Sequence, residues 1–162
     1  MENLKLKSSA YIVGRVMLTV IDIDGNERDN TGWIYNTITN AALAEVSGLV
    51  GNVGSKTAFT YLAVGTDNTA ESAAHTTLQA EITDSGLTRT SVTPTQETTT
   101  QTDDTLQLYK EWTATGTKAV EEIGIFNASS DGTMLGRKLT TTTTVNNGEK
   151  LQATYQIIFA GA

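Results

Sequence analysis

Apolar and polar residues alternate with period two over much of this chain. Leu151, Ala153, Tyr155, Ile157 and Phe159 alternate with Gln152, Thr154, Gln156 and Ile158, which predicts a long half-buried strand. Lys5 to Ile23 predicts another, with Val16, Leu18 and Val20 on one face and Met17, Thr19, Ile21 and Ile23 on the other. Asp24-Gly25 then marks a hairpin, because glycine takes positive φ cheaply. A return strand follows over Glu27 to Tyr35, with Trp33 and Tyr35 facing one way. Phe59 to Gly65, Leu106 to Thr113, Val120 to Phe126 and Met134 to Thr144 read as further strands, with a turn at Asn146-Asn147-Gly148.

The period changes once. Ile38, Ala41, Ala42, Val46, Leu49 and Val50 recur at gaps near three and four, which predicts a helix near residues 38–50. Asn36 or Thr37 would cap it and Gly51 or Gly54 would end it. Thr76 and Gln79 have capping-box spacing and suggest a short helical turn over 76–81. Leu87 to Thr102 is polar and Thr-rich and reads as an exposed strand and loop. The expected fold is mainly β: an antiparallel β-sandwich, jelly-roll-like, with one short α-helix. Residues 1–10 form an N-terminal arm and 11–162 a single domain.

Composition narrows the function. Hydrophobic residues make up 38% of the 162, so the core should be thin, as in two packed sheets that each turn one face to water. Absence of cysteine removes disulfides, thiolate metal sites and cysteine nucleophiles. The apolar runs are far shorter than the ~18–20 residues of a membrane span, and Met1 to Lys7 lacks the apolar stretch of a signal peptide. A net charge of −7 repels phosphate backbones and argues against nucleic-acid binding.

The candidate chemistry is sparse. His75 is the single histidine; it lies among small residues, is expected at the surface, and has no nucleophile motif near it in sequence. Asp22-x-Asp24-Gly25-Asn26 fails a calcium-loop pattern, since Glu27 and Trp33 occupy the sixth and twelfth positions. A hairpin turn explains the same residues. Asp103-Asp104 and Glu121-Glu122 are adjacent acids, which a strand points to opposite faces, and both pairs read as surface acids. Gly124 and Gly132 open no phosphate-binding loop. Asn127-Ala128-Ser129 is a glycosylation sequon. No catalytic, cofactor-binding or metal-binding residues are assigned, and the chain is not expected to be an enzyme. The Thr runs at Thr98 to Thr100 and Thr140 to Thr144 are candidate edges for pairing with a neighbouring subunit.

The order of these pieces resembles a known group. Asp24-Gly25 is followed by Asn36-Thr37-Ile38-Thr39-Asn40, then by Tyr61-Leu62-Ala63-Val64-Gly65-Thr66 and by Thr77-Leu78-Gln79-Ala80-Glu81-Ile82. Glu122-Ile123-Gly124-Ile125-Phe126 and Gly132-Thr133-Met134-Leu135-Gly136-Arg137 complete the series. Over residues 11–160 this resembles tailed-bacteriophage virion proteins and the particle-attaching domains of phage tail fibres. The chain stops at Ala162, without a fibre shaft or receptor-binding domain. The resemblance therefore implies a small virion structural protein, most simply a capsid decoration (cement) protein present in many copies. The alternative is a neck, tail or baseplate component or a fibre-attachment protein. Expected partners are the major capsid protein or other virion proteins and further copies of the chain, with a homotrimer as the model. No nucleic-acid or membrane partner is expected, and localisation would be the virion, assembled in the host bacterial cytoplasm. Contacts would come from the arm Met1 to Ser9 and the Thr-rich edges. A rival is a glycan- or receptor-binding sandwich, which requires Trp33 or Trp112 exposed; the structural reading expects both in the core or at subunit contacts.

Overall fold

A computed structural model describes residues 10–161; the expected contact arm, Met1 to Ser9, lies outside them. The elements are β1 (Ala10–Ile21), β2 (Glu27–Asn30), β3 (Ile34–Tyr35), β4 (Thr37–Ile38), α1 (Asn40–Gly51), β5 (Tyr61–Gly65), β6 (Thr90–Ser91), β7 (Thr95–Glu97), β8 (Thr105–Thr113), β9 (Lys118–Phe126), β10 (Met134–Val145) and β11 (Lys150–Gly161). One sheet runs β2-β1-β11-β8-β7, with β3 also on β1; the other runs β4-β10-β9-β5-β6. The strand pairs are antiparallel. The fold is the expected mainly-β sandwich with one helix.

The period-two pattern explains the core directly. Val16, Leu18 and Val20 of β1, Leu108 and Trp112 of β8, and Leu151, Ala153, Tyr155 and Ile157 of β11 face the opposite sheet. They meet Leu62, Val64, Ile123, Ile125, Leu135 and Val145. Burying each large side chain contributes about 1.5–3 kcal/mol, so this one cluster dominates stability.

Several boundaries differ from expectation. The return strand is split into β2 and β3 by Gly32, whose φ is +62°. The helix is capped by Thr39, whose side chain accepts from the Ala42 amide at 3.1 Å, and ends at Asn52 in the left-handed region. Asn36 is displaced from capping because its amide is buried between the sheets. The expected turn over 76–81 is not helical. It belongs to a long strap, Thr66 to Arg89, whose bridge between Glu81 and Gly65 runs it back along β5. Leu87, expected in an exposed stretch, is buried.

Candidate functional site

The strap covers the outer face of the β4-β10-β9-β5-β6 sheet, and beneath it lies the most charged buried feature of the described residues. Glu122 of β9 and Arg137 of β10 are both fully buried, with Arg137 Nε 2.6 Å from Glu122 Oε2. Glu122 also accepts from the backbone amides of Gln79 (3.1 Å) and Ala80 (2.8 Å) in the strap. Arg137 donates to the Thr69 carbonyl at 2.7 Å and lies 3.4 Å from Asp67 Oδ1. A buried charge is tolerated only when paired and hydrogen-bonded, and here both ions meet that demand through the strap.

A β-bulge aims Arg137. Met134 pairs with Phe126 but Gly136 pairs with Ile125, so Leu135 is an extra residue. Without it Arg137 would point between the sheets; with it the guanidinium is turned to the strap face. Gly65 leaves room for the joint, because a Cβ there would collide with the Glu122 carboxylate and the Ala80 carbonyl. Leu78, Ala63, Phe126 and Met134 form a small apolar cluster under the strap. Arg89 lies 3.7 Å over the Phe126 ring and pairs with Glu81 at 2.5 Å.

The expectation that Glu122 is a surface acid is therefore wrong: Gln79 and Ala80 cover it. Its neighbour Glu121 points the other way and accepts from the Thr142 hydroxyl at 2.7 Å. His75 is half-buried rather than on the surface, with Nδ1 3.4 Å from an Arg137 nitrogen. Arg137 offers only donors, so it does not orient the imidazole as a base in the way a carboxylate would. Asp22 accepts from the amides of Asp24 (2.9 Å) and Asn26 (2.8 Å), which makes it the organiser of the hairpin. These bonds, that from Asn26 foremost, hold its carboxyl below the usual range. Asp104 accepts from the amides of Thr99, Thr100 and Gln101, and the Thr100 hydroxyl is the largest cause of a strongly lowered carboxyl. Among the described residues no acidic or histidine cluster is arranged to hold a metal ion. Asn127 of the sequon is buried; its amide donates to Glu45 at 3.1 Å and accepts from the Thr133 amide at 2.7 Å, which leaves it inaccessible to glycosylation.

The Thr runs part company. Thr98 to Thr100 lie in the loop organised by Asp104 and form no edge strand. Thr140 to Thr142 bulge out of β10, where three residues stand against one between Leu139 and Thr143. The carbonyl of Thr144 and the amide of Leu139 on this side are taken by Arg28 and Glu71 side chains. Such bulges and charged caps protect an edge against strand addition.

The two tryptophans also separate. Trp112 is buried, its Nε1 donating to the Thr88 carbonyl at 2.9 Å. Trp33 is 39% exposed, with the Arg15 guanidinium 4.3 Å over its ring. From Arg15 a ladder of side-chain hydrogen bonds crosses the sheet to Gln156 (2.7 Å), Gln107 (2.7 Å) and Glu97 (3.2 Å). Sequence reading missed both the ladder and the buried ion pair. The row of Arg15, Gln156 and Gln107 is set by pairing of strands far apart in the chain, and Arg137 is turned toward Glu122 by a bulge between the consecutive strands β9 and β10. Comparison with family models, curated proteins and solved structures finds no match.

Proposed function

We propose that this chain is a non-enzymatic structural component of a tailed-phage virion, most simply a capsid decoration protein. The observation that carries the reading is where the motifs of the resemblance lie. Glu122, Arg137, the strap segment Thr77 to Ile82 and Gly65 come from four separate motifs, and all four meet at the buried ion pair. Asn36 and Thr39, from a fifth, fill the space between the sheets and cap α1. Each of these motif residues has a framework role, which supports a shared scaffold as the source of the resemblance. A scaffold that binds a symmetric particle gains its hold from many modest contacts acting together.

Quantitative mass spectrometry of purified particles tests this. A fixed, large ratio to the major capsid protein is the expected result, a few copies per particle would move the chain to the neck, tail or baseplate, and absence from particles would overturn the reading.

Trp33 favours a second reading, a glycan-binding face. An exposed ring flanked by a guanidinium and an amide ladder can stack on a sugar and hydrogen-bond its hydroxyls. Titration with surface polysaccharides of candidate hosts would quench Trp33 emission in the native chain and not in Trp33→Phe if that reading holds.

A further inference from the structure

The outer face of the β2-β1-β11-β8-β7 sheet carries exposed aromatic rings at both sides. Trp33 and Tyr35 (64% exposed) stand beside β1, and Tyr109 (49%) stands on β8. Met17 pairs with Thr154, and Thr154 with Tyr109. Their chain neighbours Leu18, Tyr155 and Leu108 turn into the core, so alternation turns these three outward. Trp33 precedes Ile34, which pairs with Val16. Trp33 and Tyr109 therefore close the two ends of a row whose floor is the half-buried Met17 and Thr154. Three strand spacings separate the ends, about 14 Å. Alongside runs the hydrogen-bonded ladder Arg15-Gln156-Gln107-Glu97. Its middle rung, Gln156, is buried and fixes the half-buried Arg15 and Gln107 on either side. The ladder uses the Arg15 Nε donor and one of the two amide donors of Gln107; a guanidinium and an amide carry more.

We infer that this row binds the interior of an extended, uncharged polysaccharide, laid across the strands with one sugar ring on Trp33 and another on Tyr109. This site rests on the glycan-binding reading of Trp33 and extends it from one ring to a chain. A sugar ring stacks its C–H face on an aromatic side chain and turns its hydroxyls sideways, which is where Arg15 and Gln107 stand. The gap between Trp33 and Tyr109 is too wide for a single ring. The grooves beside α1 and beside Arg89 are lined by other residues, and the row itself is a sheet face without walls, which lets a polymer run past both rings. Charge selects against an acidic polymer. The chain carries −7, Glu97 ends the ladder, and the Arg15 cation is stacked on Trp33. On the same face Glu111, two residues beyond Tyr109, is paired with Lys150 at 2.8 Å. Because the ladder already holds its side chains in place, binding has little left to order.

Calorimetric titration of the full chain with cello-oligosaccharides and chito-oligosaccharides, dimer to hexamer, tests the inference, with oligogalacturonates of the same lengths as the acidic comparison. The expected result is an affinity for an uncharged series that climbs with length until the chain reaches both rings. Tyr109→Ala should weaken the hexamer roughly tenfold, the equivalent of one stacked ring, and leave the dimer unchanged; Tyr109→Phe should retain the native affinity. Tyr109 is exposed, and unchanged thermal melts would show that the variants fold. Affinity already complete at the dimer, or binding lost in Trp33→Ala but indifferent to Tyr109→Ala, would overturn the inference and leave the Trp33 reading standing. Tighter binding of the oligogalacturonates would overturn it too, and no binding in any series would overturn both.

Discussion

Asn36 is the residue on which the two sheets are fitted together. Its side chain lies against Gly14 of β1 and Gly136 of β10 and donates to the Tyr155 hydroxyl. A Cβ at either glycine would overlap the Asn36 amide. Burial of Tyr155, with only this partner, pushes its phenol far above the usual range, so the hydroxyl remains a neutral hydrogen-bonding group. Gly136→Ala should cost about 1–3 kcal/mol, the ordinary range for overpacking. Asn36→Ala in that background should recover part of the loss, because the two changes share one space. Urea denaturation of the single and double variants measures both, and strictly additive effects would contradict the packing described. Nothing in the sequence marked this role. Asn36 precedes a helical period and reads as a cap, whereas the space that claims it is made by residues 22 and 100 positions away.

Among the elements, the strap is the one whose place depends on a single charged pair. Arg137→Met leaves the Glu122 carboxylate buried beside two amide donors but without its cation. Breaking a buried pair in this way costs about 3–5 kcal/mol, and the loss should appear in the denaturation midpoint. Glu122→Gln combined with Arg137→Met should cost less than the sum of the two single changes, since the double variant strands no charge. Hydrogen exchange would localise the effect, with the amides of Gln79 and Ala80 exchanging faster in Arg137→Met than in the native chain. Within the strap the sequence predicts a short helical turn over 76–81, because Thr76 and Gln79 match a capping box. Its real partners, Gly65 and Glu122, lie on β5 and β9, and a local pattern cannot report them. The helix itself was legible from its period, but its cap shifted to Thr39, whose amide and hydroxyl bond the carbonyls of Leu135 and Met134 on β10.

For the whole molecule, acid should destabilise. Arg28 bonds to Glu149 and holds its carboxyl below the ordinary range, aided by the Asn146 amide. Lys56 does the same for Glu45. Burial pushes the Glu71 carboxyl up, but bonds from Lys138, the Leu139 amide and Thr37 outweigh it and leave it lowered. In each case the folded chain binds a proton less readily than the unfolded chain, whose glutamates titrate near ~4.3. The stability these groups contribute is therefore complete above that value and is lost as pH falls through the folded values. Urea midpoints should be level from neutral pH to about pH 5.5 and fall progressively below about pH 4.5. A midpoint that rises on acidification would contradict the ion pairs.

The sequence by itself determined the mainly-β class, the strands of the central core and the one helix, because periods of two and of about 3.6 follow from local backbone geometry and from which face must leave water. It also determined the Asp22–Asn26 turn, where the carboxylate bonds amides two and four residues on. Only the tertiary structure decided which acids are buried, which tryptophan meets solvent, that the Thr140–Thr142 run is a bulge, and that α1 keeps an apolar face outward. Those outcomes depend on register between strands distant in the chain and on a bulge that reverses one side chain, and neither is encoded in the alternation of neighbouring residues.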